Sequence, residues 1–413
     1  MRCGMVFMIA LASLVSACGG SSYNAYNNPS PTGPPGTYSG GGTGLNTLAV
    51  TVDTGPAAAP GAVNTLYTSV TVCAPGSATA CQTINHVQVD TGSTGFRVLA
   101  SALGNGLATT ALPAANDGYG NTLEECLQFA DGYSWGTVRT ADLQIGNEVA
   151  SGTPIQVIGD PAAAPVPATC VSGPPENTVL TFGANGVLGI GTFLADCGAA
   201  CANGVVPGTY YGCTLAGSCQ PVSVPQLQQL QNPVSLFVAD NNGVILQLPS
   251  VAAPTPTLTG TLLFGIGTQA NNGLGPAQIY TVDSNYGDFV STYNATVLNS
   301  SFIDTGSNAY YFTDPAIPVC TSQAGFYCPT ATLPSQASIQ GTNGALITVP
   351  FGVDNASADF ATGATVLPNL AGPAASGQTN SFDWGLPFFY GRNVFVAFEQ
   401  GAPAGVAGPW IGF

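Results

Sequence analysis

One short chemical motif occurs twice in the sequence. Asp90-Thr91-Gly92-Ser93 follows the run Val87-Gln88-Val89, and Asp304-Thr305-Gly306-Ser307 follows Ser301-Phe302-Ile303, with Phe96 and Tyr310 closing the two copies. The aspartates are 214 positions apart (304 − 90), so they fall in different halves of the chain. Gly after Thr permits a tight turn at the end of each strand. The Gly N–H and the Ser hydroxyl can donate to the carboxylate held there. Two such turns brought face to face would put two carboxyls in contact. These cannot both ionise cheaply, so they would share a proton. One then serves as general base for a water, the other as general acid for a substrate carbonyl. That is amide hydrolysis needing neither metal, cofactor, histidine nor covalent intermediate.

The composition leaves few rivals to this chemistry. The single histidine, His86, would have to serve any Ser-His pair, and its place just before the first aspartate strand reads as a strand side chain. There is no lysine; the cations are Arg2, Arg97, Arg139 and Arg392 against 20 Asp and Glu. A net charge of -16 excludes a basic groove, so nucleic acid is not an expected partner. Charged residues are 6%, against about a quarter in an ordinary soluble domain, so Ser, Thr, Asn and Gln must carry the surface.

Positioning the two turns requires strands. β-branched residues and turn formers run through the whole chain and predict an all-β protein. We expect two β lobes, about 47–232 and 233–413, related by a pseudo-two-fold with a cleft between them. A short helix is expected at 223–231, where Val224, Leu227 and Leu230 have helical spacing.

On the paired motif, the chain resembles the two-lobed, pepsin-like aspartic peptidases, in a bacterial lipoprotein version, or exported bacterial proteins related to them. Further segments agree in order. Phe129-Ala130-Asp131-Gly132-Tyr133-Ser134-Trp135-Gly136 looks like the family's flap hairpin. Asn185-Gly186-Val187-Leu188-Gly189-Ile190-Gly191 looks like the segment beneath the first aspartate loop, and Trp384-Gly385-Leu386-Pro387-Phe388-Phe389 its counterpart beneath the second. Gly260–Gly265, Val394–Glu399 and Trp410–Phe413 match strands of the second lobe. The resemblance implies Asp90 and Asp304 as the catalytic pair. Thr91 and Thr305 would lock the loops together, Ser93 and Ser307 would bond the outer carboxylate oxygens, and Gly92 and Gly306 would allow close approach. It implies a peptide or protein substrate and a monomer.

The sequence also departs from that pattern. The flap position usually held by tyrosine is Phe129, with Tyr133 nearby. The usual tryptophan partner is replaced by Arg97, which would either stack on Phe129 or sit near the dyad as a cation. Phe129, Tyr133 and Trp135 would line the cleft, with cross-strand packing as the competing role. Activation by a lysine-bearing pro-segment is not expected. The alternative function is a catalytically silent binding or scaffold protein that keeps the fold.

Met1 to Ala17 reads as an export signal, with Arg2 followed by an apolar run. Val15-Ser16-Ala17-Cys18 resembles a bacterial lipobox, implying a lipidated Cys18 and anchoring in a bilayer. Gly19 would direct the protein to the outer membrane. Residues 19–46 read as an uncharged flexible tether. Ten further cysteines predict disulfides in an exported chain: Cys73–Cys81, Cys320–Cys328 and Cys126–Cys170, with Cys197, Cys201, Cys213 and Cys219 open to three pairings or to a zinc ion.

Overall fold

A computed structural model describes residues 45–104, 107, 109–129 and 132–413. The signal, Cys18, most of the tether and Asp131 of the flap lie outside the described residues.

The described chain is all β apart from single turns of helix, arranged as two lobes. Alternation explains the strands. In the hairpin Leu333–Gln340 and Leu346–Val353, Ala337, Ile339, Val349, Phe351 and Val353 are buried while their neighbours face outward. A fifteen-stranded sheet and a seven-stranded sheet carry the fold. The larger sheet joins the two halves of the chain. Thr47–Val52 pairs antiparallel with Leu258–Phe264, which pairs with Gly243–Gln247 and so reaches Asn393–Ala397 and Trp410–Gly412. One core therefore runs through both lobes, from Val50 and Val89 to Phe264, Trp384 and Phe413.

The sequence repeat is also a repeat of topology. In the first half, Val87–Asp90 runs parallel to Gly186–Gly189, and the outgoing Thr94–Val98 returns antiparallel on the other side of that same strand. In the second half, Phe302–Ile303 runs parallel to Asp383–Trp384, and Tyr310–Tyr311 returns antiparallel against it. Each Asp-Thr-Gly-Ser turn is thus held between two strands that share a third. Large rings fix the second copy: Phe382 stacks on Trp384 at 4.2 Å and on Phe312 at 4.8 Å.

All ten cysteines among the described residues are paired. The three expected bridges form, and the open cluster resolves as Cys197–Cys201 and Cys213–Cys219, leaving no thiolate for zinc. The helix expected at 223–231 is corrected to a single 3-10 turn, Gln226–Gln228. Pro233 favours extended backbone at Asn232. The Gln229 amide donates to the Gly198 and Val224 carbonyls, and Gln231 bridges to Ala195, so tertiary bonds replace helical ones.

Candidate active site

The strand Cys81–Asp90 ends on Asp90, and Thr296–Ile303 ends one residue before Asp304. Both aspartates are buried, Asp304 at 1% exposure and Asp90 at 6%. Each is held by its own turn in the same way. Gly92 N–H donates to Asp90 Oδ1 at 2.8 Å and Ser93 Oγ to Oδ2 at 2.5 Å. Gly306 N–H donates to Asp304 Oδ1 at 2.6 Å and Ser307 Oγ to Oδ2 at 2.9 Å.

The threonines cross between the turns. Thr91 N–H donates to Thr305 Oγ1 and Thr305 N–H donates to Thr91 Oγ1, each at 3.0 Å. Thr305 Oγ1 in turn donates to the Val89 carbonyl at 2.8 Å. This reciprocal pair joins the two loops across the lobes. It also brings the carboxyls together: the side chains of Asp90 and Asp304 are within hydrogen-bonding reach of each other.

The glycines are required by that approach. A Cβ at Gly92 would lie 2.7 Å from Asp304 Cγ, and one at Gly306 would lie 2.8 Å from Asp90 Oδ1. Burial pushes the Asp304 carboxyl well above the usual carboxylate range, and Asp90 and then Asp383 push it further, against the lowering bond from Ser307. Asp304 therefore holds a proton under conditions where an ordinary aspartate is ionised.

A cleft of about 550 Å³ opens on Asp90 and Gly306. Its walls include Phe129, Leu180, Phe182, Val187, Phe326 and Phe360, and Glu176 adds a carboxylate. The volume is that of an ordinary ligand site, and apolar and polar groups, Gln88, Asn308 and Thr365 among the latter, share its lining. Phe129 N–H donates to the Gly132 carbonyl at 2.7 Å, closing the tip of the hairpin over this cleft. Phe129 meets Phe182 edge to face at 5.8 Å.

Tyr133 and Trp135 are placed elsewhere. They share the opposite face of the hairpin and line a smaller recess of about 190 Å³ together with Asp160 and Val166. Trp135 packs on Tyr211 at 5.3 Å and donates its indole N–H to the Ala164 carbonyl, so the expected cleft lining is replaced by cross-strand and loop packing. Strand alternation is the cause, since residues two apart share a face.

Arg97 also corrects the expectation. It neither stacks on Phe129 nor faces the dyad. It is fully buried, with Nη2 on Glu125 at 2.5 Å and on Asp196 at 3.2 Å, and Nη1 donating to the Thr94 carbonyl. Tyr210 donates its hydroxyl to Asp196 at 2.7 Å. The cation therefore ties the flap strand to the strand leaving the first aspartate turn. His86 pairs with Asp53 at 3.4 Å on the surface side of its strand.

Three site residues were missed by the sequence reading. Gln88 donates its amide to the Gly306 carbonyl at 3.2 Å, across the lobes. Asn64, fully buried with φ 48°, donates to the carbonyls of Asn308 and Leu367 and accepts from Leu367 N–H and Tyr390. Asp383 lies beneath the second turn, buried beside Ser307. A signal for the last was present: one acidic residue inside the apolar run Phe382 to Phe389.

With this geometry in place, comparison with known proteins has a definite meaning. Residues 42–413 match the family described as "Protein of unknown function (DUF3443)". The chain belongs to the DUF3443 family. No curated protein matches the DUF3443 chain. Among solved structures it is similar to the aspartic proteinase from Irpex lacteus, at 15% identity and a TM-score of 0.50, covering 89% of this chain and 96% of that one. At that identity the likeness concerns the fold, which is the two-lobed pepsin-like one.

Proposed function

We propose that this DUF3443 protein is an aspartic endopeptidase that hydrolyses peptide bonds with a water held between Asp90 and Asp304. The observation that carries the reading is the contact of two buried carboxyls, one on each lobe, at the floor of a cleft with a hairpin above it. In the proposed reaction the Asp90 carboxylate takes a proton from the water while Asp304 gives its proton to the scissile carbonyl oxygen. Water oxygen bonds to the carbonyl carbon, giving a neutral tetrahedral diol. The proton now on Asp90 passes to the amide nitrogen, the C–N bond breaks, and the second hydroxyl returns its proton to Asp304. Atoms and charge balance, and the pair is restored.

The mature chain would be exported and held at the cell envelope through an acylated Cys18. Its five disulfides fit an oxidising compartment. Incorporation of labelled palmitate that is lost in Cys18→Ser would support the anchor, and unchanged labelling would refute it. The competing reading, a silent binding or scaffold protein, is favoured by Phe129, which brings no hydroxyl to the flap. Cleavage of a mixed peptide library from about pH 3 to 7 by wild type, lost in both Asp90→Asn and Asp304→Asn and blocked by a statine-type inhibitor, would establish the peptidase. A folded wild type that cleaves nothing in that range would establish the competing reading.

A further inference from the structure

The two halves of the site are not equivalent, and the difference is a third carboxyl. In the first half, the residue paired two positions before the aspartate, opposite Gln88, is Val187, which lines the cleft. In the second half, the residue paired two positions before the aspartate, opposite Phe302, is Asp383. A cleft-lining valine in one lobe is thus an aspartate in the other.

Asp383 is 1% exposed, and neither of its carboxyl oxygens accepts a hydrogen bond among the described residues. The polar side chain within its reach is Ser307. The hydroxyl proton of Ser307 is already committed, since Ser307 Oγ donates to Asp304 Oδ2. Ser307 can therefore offer Asp383 only a lone pair. An ionised Asp383 would be a buried anion without donor or cation, an arrangement that proteins avoid by keeping the proton. A protonated Asp383 can donate to Ser307 Oγ, and every group in the row is then satisfied.

We propose that Asp383 is a positioning residue of the site: a neutral carboxylic acid that donates to Ser307 Oγ and so aims the Ser307 hydroxyl at Asp304. The chain of bonds runs Asp383, Ser307, Asp304, Asp90. Three carboxyls then carry a single negative charge, the one that proton transfer from water requires. The charged and titratable groups around Asp383 agree. Asp90 and Asp304 face it from the two turns, and Tyr310 and Tyr311 come from the strand paired beside it. Arg392 is engaged with Tyr310 and lies over the Phe388 ring at 4.8 Å, and it does not act on Asp383. Burial pushes the Asp383 carboxyl well above the usual range, against the lowering contact of Ser307 and with the repulsion of Asp90.

The kinetic half of this inference rests on the peptidase reading; the protonation half does not. The test uses the full chain with Asp383→Asn and Asp383→Leu. The infrared difference spectrum of wild type minus Asp383→Asn at neutral pH should contain the carbonyl stretch of one protonated carboxyl, and the same band should be lost when Asp383→Asn is added to Asp90→Asn. If the band is unchanged in Asp383→Asn, the neutral acid is refuted whether or not the protein cleaves peptides. In peptide hydrolysis, Asp383→Asn, which still donates to Ser307, should keep kcat and KM within about threefold, and Asp383→Leu should lose kcat by about tenfold at unchanged KM, the worth of one hydrogen bond. Wild-type kcat in Asp383→Leu, or equal losses in both variants, would overturn the positioning role. Absence of cleavage by wild type would sink the peptidase reading alone and leave the spectrum to decide.

Discussion

Buried protonated carboxyls make stability depend on pH in an unusual direction. Burial pushes Glu124 up to about 7, aided by Asp160, and pushes Asp288 and Asp359 up to about 6, aided by Asp283 and Asp354. Asp196, Asp304 and Asp383 are also raised well above their ordinary range by burial. In the unfolded chain these groups lose their protons near pH 4. The native state keeps them longer, so it binds more protons between about pH 4 and 6, and stability must fall as pH rises through that window. Each retained proton is worth about 1.4 kcal/mol per pH unit; halving this for the partial solvent access of Glu124, Asp288 and Asp359 gives roughly 2 kcal/mol per unit for the three together. From pH 4.5 to 6 the loss is then about 3 kcal/mol, a drop of about 1 M in the urea midpoint. The assay is urea unfolding followed by tryptophan fluorescence at those two pH values. Glu124→Gln keeps the oxygen that accepts from Ala164 N–H at 2.8 Å and removes the titration, so its slope should be shallower by roughly 0.7 kcal/mol per pH unit. A midpoint that rises from pH 4.5 to 6 would refute the reasoning, because it would require the native state to favour the charged forms of these carboxyls.

Other perturbations have definite outcomes. Thr305→Val removes the acceptor for Thr91 N–H and the donor to Val89, and should cost about 1–3 kcal/mol by urea unfolding while separating the two carboxyls. Gly92→Ala places a Cβ against the Asp304 carboxyl, so peptide hydrolysis should fall by more than about a hundredfold with the fold retained by circular dichroism. Arg97→Met strands Glu125 and Asp196 without their cation and should cost about 3–5 kcal/mol near neutral pH, and less at acid pH where Asp196, already pushed up by burial, holds a proton. Removing Cys126–Cys170, which closes 44 residues and ties the flap strand to the loop after it, should cost about 4 kcal/mol on chain entropy, read as a lower urea midpoint of the double serine variant.

What the sequence disclosed was whatever repeats. Two Asp-Thr-Gly-Ser turns after apolar strands were enough to place the carboxyls, the crossing threonines and the close glycines, because each of those roles depends on residue type within four positions. The segment beneath the first turn was legible because the apolar pair Val187-Leu188 before Gly189 marks a strand buried on both faces, and its counterpart was found by Trp384-Gly385 despite the acidic Asp383 before them. What escaped depends on the far side of a contact. Tyr133 and Trp135 were expected in the cleft because aromatic type says nothing about which face of a strand is which; their face was settled by Tyr211 and the Ala164 carbonyl. Arg97 was read against Phe129, its neighbour in the resemblance, whereas Glu125 and Asp196 are 28 and 99 positions away and had no reason to be joined to it. The 223–231 segment has helical spacing, yet the Gln229 amide reaches the Gly198 carbonyl and the Gln231 backbone bridges to Ala195.

The same distinction bears on the asymmetry of the site. The repeat makes the two turns interchangeable by sequence, and their own hydrogen bonds are interchangeable too. A shared proton nonetheless needs a preferred home if one carboxyl is to act first as base. The surroundings provide one. Asp90 opens on the cleft, with Val187 beside it, while Asp304 is the more buried and has Asp383 behind its serine. Burial, the largest cause, therefore assigns the proton to Asp304, and Asp304→Asn, which keeps a neutral group where the proton sits, should leave more residual activity than Asp90→Asn, which removes the base. The reverse order of residual activity would show that burial does not set the preference.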